Sequence, residues 1–265
     1  MIEIKKCNKK QILQPCGLKN YNYQIDPYIG CEHLCYYCYV LNQAETDWTK
    51  EIRIYENIQS SLTEELENIS PQKIYMGYYS DPYQPAEAEY LQTRKVLELL
   101  LERGFSVGIL TKSDLVVRDI DLLTEMDDAS VSVSVAFNNN EVRKQFEASI
   151  KDSEARIEAL RILIESGIKT SALVCPVIPF ITNVKPLIET LAPITETIWI
   201  YGLSMLNRSE FSWQNVQRIL EENYPKQKEE IESIVFTKDH PYWLDLREDL
   251  NKIKNENQMN LNIHV

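Results

Sequence analysis

Short β-rich runs alternate with helical patterns along most of this 265-residue chain, and that alternation limits its fold more than any other feature. Residues 73–79 read as a buried strand. Residues 86–103 read as an amphipathic helix with Leu91, Val96, Leu97, Leu100 and Leu101 on one side, stopped by Gly104. Strands at 105–110, 130–135, 168–174 and 197–201 follow, separated by helices at 117–125, 153–165 and 185–191. A further run at 21–29 precedes them, which makes six β units with helical crossovers. Such alternation implies a parallel sheet with right-handed connections. Six units suit an open doubly wound sheet or a partial barrel, and the chain, with 7 glycines, has no Gly-rich phosphate loop.

The first β unit leads directly into Cys31-Glu-His-Leu-Cys35-Tyr-Tyr-Cys38, a C-x3-C-x2-C spacing. Three thiolates held this closely can bind three irons of a [4Fe–4S] cube and leave the fourth iron open to a substrate or cofactor. Zinc also uses C-x2-C pairs, but a structural zinc site normally closes with four ligands. Here His33 or a remote cysteine would have to supply the fourth, and that alternative stays open. In barrel-type parallel folds the chemistry gathers at the C-terminal ends of the strands. The position of the cysteines after the first strand therefore favours the iron–sulfur reading.

The other three cysteines, Cys7, Cys16 and Cys175, are scattered and make no disulfide framework. A reducing, oxygen-poor compartment fits an accessible iron site. There is no apolar run long enough to span a bilayer and no signal-peptide core in the first residues, so a cytoplasmic protein without membrane contact is expected. With 40 acidic and 28 basic residues, the net charge of −12 argues against a broad nucleic-acid surface. Lys5, Lys6, Lys9 and Lys10 are the nearest thing to a basic arm and read as a solvated tail.

With an aromatic residue, Tyr37, before the last cysteine, the motif resembles the signature of the radical S-adenosylmethionine (SAM) superfamily. Further stretches look like its spore photoproduct lyase-related group, the DNA repair photolyase-like proteins. They are Asp26-Pro-Tyr-Ile-Gly-Cys31, Ser80-Asp-Pro-Tyr-Gln-Pro85 with Glu87, Leu110-Thr-Lys-Ser113 and Cys175-Pro-Val-Ile-Pro179. The resemblance implies an α/β fold, a partial (β/α)6 TIM-type barrel with parallel strands. It implies a [4Fe–4S] cluster on Cys31, Cys35 and Cys38 whose fourth iron is chelated by the amino and carboxylate groups of SAM. One electron, from a reductant such as flavodoxin or ferredoxin, would cleave SAM to methionine and a 5′-deoxyadenosyl radical. That radical would abstract hydrogen from an unidentified substrate, in a lyase- or oxidoreductase-type reaction.

By similarity, Ser80 and Asp81 sit where the family binds the methionine part of SAM, and Lys112 resembles the lysine that meets its carboxylate. Ser134 matches a ribose- or SAM-contacting serine, and the main chain at Tyr37 would border the adenine. Each has a simpler reading. Asp81-Pro82 can open the next helix as a cap and first-turn proline, Lys112 can be a surface lysine, and Ser134 can face a polar interior. Glu147 and Arg156, carried by the same group, read as a helix-surface ion pair.

The match fails at one position. The true lyases carry a hydrogen-donating cysteine two residues before the serine matched by Ser80, and this chain has Tyr78 there. That puts repair of a nucleic-acid photolesion in doubt and leaves Tyr78 and Cys175 as candidate donors, although a lone cysteine in an apolar strand more often packs in a core. The expected organisation is an N-terminal extension over 1–20, a core barrel over 21–206 and a C-terminal helical cover over 207–265. The rival from another class is a non-catalytic zinc-binding module that uses the three cysteines and His33 to organise a partner surface.

Overall fold

The computed structural model describes residues 2–8 and 11–265. In chain order its strands and helices are β1 (Glu3–Cys7), β2 (Leu13–Pro15), β3 (Tyr23–Ile25), β4 (Tyr28–Ile29), β5 (Glu51–Tyr55), α1 (Ile58–Leu66), β6 (Lys73–Met76), α2 (Glu87–Tyr90), α3 (Gln92–Glu102) and β7 (Ser106–Thr111). Then come α4 (Ile120–Glu125), β8 (Ser130–Ser134), α5 (Asn140–Phe146), α6 (Ser153–Glu165), β9 (Lys169–Val177), α7 (Val184–Leu191) and β10 (Thr197–Gly202). Three more helices, α8 (Phe211–Asn223), α9 (Lys228–Val235) and α10 (Pro241–Glu256), precede β11 (Asn260–His264). The fold is α/β, with a mostly parallel eight-stranded sheet. No described helix is long and apolar enough to cross a membrane.

The chain forms two compact units that interleave along the sequence. The first comprises Met1–Leu34, Ala44–Val133 and Arg161–Thr170. In it β3, β6, β7 and β8 pair in parallel, and β2 adds to β3 antiparallel. Ile25, Ile74, Met76 and Val107 are buried, as expected of parallel strands covered on both faces. A separate three-stranded sheet has the order β1-β5-β4. Lys5 and Lys6 belong to its strand β1, and Lys5 donates to Glu51. They are therefore ladder residues with paired backbones and not a free arm, while Lys9 and Lys10 lie outside the described residues.

The second unit comprises Cys35–Gln43, Ser134–Leu160 and Ser171–Val265. Its strands β9, β10 and β11 are parallel. Its core gathers Phe137, Phe146, Ile178, Trp213, Val216 and Leu220, and Tyr36 and Tyr37 pack against that core. The middle of the cysteine motif is thereby seated on an apolar floor.

Two elements differ from expectation. The run at 21–29 is broken, because Tyr23–Ile25 pairs with β6 while Tyr28–Ile29 pairs with β5 of the small sheet. The helix at 86–103 is broken at Leu91, whose φ is +55°. The physical cause is Glu87. Its buried carboxylate accepts from Thr93 N (2.8 Å) and Arg94 N (3.2 Å), so it caps α3 from the preceding turn. The same carboxylate takes Tyr28 Oη at 2.5 Å and Arg118 Nη2 at 2.6 Å. Glu87→Ala removes the α3 cap and the Tyr28 acceptor and leaves Arg118 with Asp119 alone as its carboxylate partner. It is expected to lower unfolding stability by about 1–3 kcal/mol, measured by urea titration of the anaerobically purified protein.

Candidate functional site

In the first unit the polar groups collect where β3, β6 and β7 end. Gly77 follows β6 at φ +102°, and a Cβ there would collide with the Leu110 carbonyl, so the turn into Tyr78, Tyr79 and Ser80 requires glycine. Asp26, just past β3, holds that turn: its Oδ1 accepts from Tyr79 N (2.7 Å) and Ser80 N (3.0 Å), and its Oδ2 accepts from Gln24 Nε2 (3.1 Å). Ser80 Oγ donates to the Tyr28 carbonyl at 2.9 Å. Tyr78 is half-buried, edge-on to Tyr75 and Tyr79, and Gly17 leaves the space its hydroxyl occupies. Burial raises the Tyr78 hydroxyl pKa, with smaller contributions from Tyr79 and Cys16.

Asp81 is the next knot. Oδ1 accepts from Tyr83 N (2.8 Å) and from Thr111 Oγ1 (2.7 Å), and Oδ2 accepts from Lys112 N (2.7 Å). His33 Nε2 lies 3.2 Å from Oδ2, out of line for a full hydrogen bond, and the buried Nδ1 has no hydrogen-bond partner among the described residues. Burial pushes the Asp81 carboxyl upward, but His33, Lys112 N and Thr111 outweigh it and hold it below the ordinary carboxylate range. Asp81 does not open a long helix as a cap. It organises the turn before α2 and ties it to the end of β7.

The cysteine motif starts in this unit, where Cys31 is buried and Leu34 N donates to the Cys31 carbonyl at 3.4 Å. Leu34 has φ +50°, and the motif continues in the second unit. There Cys38 N donates to the Cys35 carbonyl (3.1 Å), Tyr36 N donates to the Phe146 carbonyl (3.0 Å), and Cys35 forms an isolated antiparallel bridge with Glu147. The Tyr37 hydroxyl donates to Glu147. Burial, the Glu147 carboxylate and Cys35 together raise its pKa well above the ordinary phenol value.

Glu147 and Arg156 are fully buried and paired at 3.1 Å, which corrects the expectation of a surface pair. They face inward because Glu147 follows α5 under Tyr37 while Arg156, on α6, reaches the Ser134 carbonyl at 2.8 Å. Ser134 is buried at the end of β8, and Cys175, half-buried in β9, acts electrostatically on both Tyr37 and Tyr201.

No cysteine is in a disulfide among the described residues. Among the described residues, no three His, Cys, Asp or Glu side chains are gathered as a single-ion site. His33, the expected fourth zinc ligand, is turned to Asp81. The donor set of Cys31, Cys35 and Cys38 fits an iron–sulfur cube in its chemistry: three soft thiolate donors on one short loop. Sequence reasoning gave no role to Asp26, although a carboxylate inside an otherwise buried stretch was a usable signal.

An α/β chain with a three-cysteine loop just past β3 and β4 defines a broad class, and similarity narrows it. The model of the radical SAM superfamily matches residues 25–191, and the chain belongs to that superfamily. An uncharacterized protein of Methanocaldococcus jannaschii is 34% identical over 234 residues, 86% of each chain. One of Mycobacterium tuberculosis is 29% identical over 175 residues, 62% of this chain and 52% of its own. Among solved structures, spore photoproduct lyase complexed with dinucleoside spore photoproduct aligns at a TM-score of 0.59 and 16% identity, covering 84% of this chain and 66% of the lyase. SuiB of Streptococcus suis bound to S-adenosylmethionine aligns at 0.56 and 13%, covering 92% of this chain and 50% of SuiB. The chain thus spans just under two thirds of the lyase and half of SuiB. These likenesses show a shared fold, that of the partial (β/α)6 barrel. The superfamily's cofactors, a [4Fe–4S] cluster and SAM, are the cofactors of this chain.

Asp26 gives the site a pH signature. Burial raises its pKa from 3.8 to about 6, against the Ser80, Tyr79 and Gln24 hydrogen bonds that lower it. A raised carboxyl pKa favours the neutral form, so its stabilisation is fully present below pH 3.8 and is lost as pH rises through about 6. The loss is about 3 kcal/mol. Asp26→Asn, which keeps an acceptor for both N–H groups, is expected to remove that part of the slope when unfolding free energies of both proteins are compared from pH 4 to 7.

Proposed function

We propose that this chain is a radical SAM enzyme in which Cys31, Cys35 and Cys38 carry the cluster and groups at the strand ends hold SAM. The observation that carries this reading is the set of three cysteines, Cys31, Cys35 and Cys38, on the loop that follows β4, inside the stretch that matches the superfamily. When bound, the cluster and SAM supply a 5′-deoxyadenosyl radical that takes a hydrogen atom from substrate.

The chain's own residues bind and orient. Lys112 offers a cation for the SAM carboxylate, and the Asp81 carboxylate fixes the Lys112 backbone from which it extends. Ser80 and Asp81 form the wall assigned to the methionine part, Ser134 the contact with the ribose, and the Tyr37 main chain the border of the adenine. Tyr78 and Cys175 are the assigned hydrogen donors, the first presenting an O–H and the second an S–H to a substrate radical. The one electron would come from a flavodoxin- or ferredoxin-type donor, and the oxygen-sensitive site suits a reducing cytoplasm.

The test is anaerobic reconstitution with iron and sulfide, followed by reduction in the presence of SAM and detection of 5′-deoxyadenosine by mass. The wild-type protein is expected to be brown and to make the nucleoside. Cys35→Ala is expected to lose both the colour and the product to background. A colourless wild-type protein holding zinc, or undiminished cleavage by Cys35→Ala, overturns the proposal.

A further inference from the structure

The second unit seals a charge pair directly behind the cysteine loop. Glu147 and Arg156 are both fully buried, with Nη2 of Arg156 at 3.1 Å from Oε2 of Glu147. The hydroxyl of Tyr37, the residue just before Cys38, donates to the other carboxylate oxygen. Arg156 also donates to the Ser134 carbonyl (2.8 Å) and to Ser153 Oγ (3.3 Å). Backbone contacts fix the same junction. Cys35 bridges Glu147, and Arg143 Nη1 donates to the carbonyls of Glu147 (3.0 Å) and Ile150 (2.6 Å).

In this chain of bonds the carboxylate stands between the 35–38 stretch and the guanidinium, so the negative end of the pair is turned toward that stretch of the same unit. Stability alone gives little reason for such a pair, since well-packed apolar residues of similar volume often serve as well or better. Beside a redox centre a buried charge has a distinct effect. The potential of an iron–sulfur cluster follows its net charge, the hydrogen bonds around it and its burial.

We propose that Tyr37, Glu147 and Arg156 are positioning residues that fix the cysteine loop and, through the loop-facing carboxylate, hold the cluster's reduction potential low. This rests on Cys31, Cys35 and Cys38 being the cluster ligands. Glu147→Gln leaves the Arg156 cation unopposed, which favours the reduced cluster. Tyr37→Phe keeps both charges but withdraws the hydroxyl that disperses the carboxylate charge, which favours the oxidised cluster. Removing both charges together, in Glu147→Gln/Arg156→Met, withdraws the loop-facing negative end without leaving a bare cation, so the potential rises by less than in Glu147→Gln.

The experiment is potentiometric titration of the reconstituted proteins without SAM, followed by electron paramagnetic resonance, with iron content measured in each. Glu147→Gln is expected to raise the reduced-to-oxidised ratio at a fixed potential about tenfold, which is 59 mV for a one-electron couple. Tyr37→Phe is expected to lower it about threefold, and the double variant to raise it about threefold, less than Glu147→Gln does. Unshifted potentials in both single variants, or shifts of the same sign, overturn the proposal. Where Glu147→Gln fails to retain iron, the other two variants decide: an unchanged or raised ratio in Tyr37→Phe, or an unchanged or lowered ratio in the double variant, overturns it. Failure of the cluster assignment itself shows separately, as wild-type protein without iron, and overturns both readings.

Discussion

A carboxylate taken out of water costs several kcal/mol unless N–H groups or cations meet it, and this chain buries such groups at turns and helix ends. Asp26, Asp81, Glu87 and Glu147 are each buried as side chains. Each draws in partners from elsewhere in the chain. Asp26 takes the N–H groups of Tyr79 and Ser80, Asp81 those of Tyr83 and Lys112, Glu87 those of Thr93 and Arg94, and Glu147 the Tyr37 hydroxyl with Arg156. Loops that carry chemistry lack the ladder bonds that define strands and helices. Here the buried acids supply the missing definition, so the geometry of the turns depends on charge satisfaction as much as on apolar packing.

Each unit does its own part of this work. In the first, the ends of β3, β6 and β7 are tied to one another through Asp26 and Asp81, which places Ser80, Asp81 and the Lys112 backbone in a single polar knot. In the second, Tyr36 and Tyr37 rest on the core that includes Phe146 and Trp213, and the backbone of the motif pairs with residues 146 and 147. The thiolate loop is therefore supported by side-chain bonds and by a strand-like contact.

What could be read in the sequence was what is local. Periodicity gave α6 at its observed bounds, and strict alternation gave β8, because both signals come from neighbouring residues on one face. The cysteine spacing was equally local. The break at Leu91 was not, because the group that causes it is a cap whose worth depends on Tyr28 and Arg118. Strands β1 and β5 were missed for a similar reason: the pairing of Glu3 with Glu51 exists only after the chain has folded back. Glu147 and Arg156 looked like a surface pair, since their spacing is compatible with one and their burial is a tertiary fact. Asp26 was visible as a residue but not as a clamp, because the N–H groups it clamps, those of Tyr79 and Ser80, lie more than fifty positions away.

The Asp26 clamp has a consequence for the residue beside it. The backbone after Gly77 is held by hydrogen bonds to Tyr79 N and Ser80 N, and none of these depends on the side chain at 78. Position 78 is thus an interchangeable tip on a fixed mount. A thiol, a phenol or an inert group can be exchanged there without removing the two Asp26 hydrogen bonds that hold the main chain.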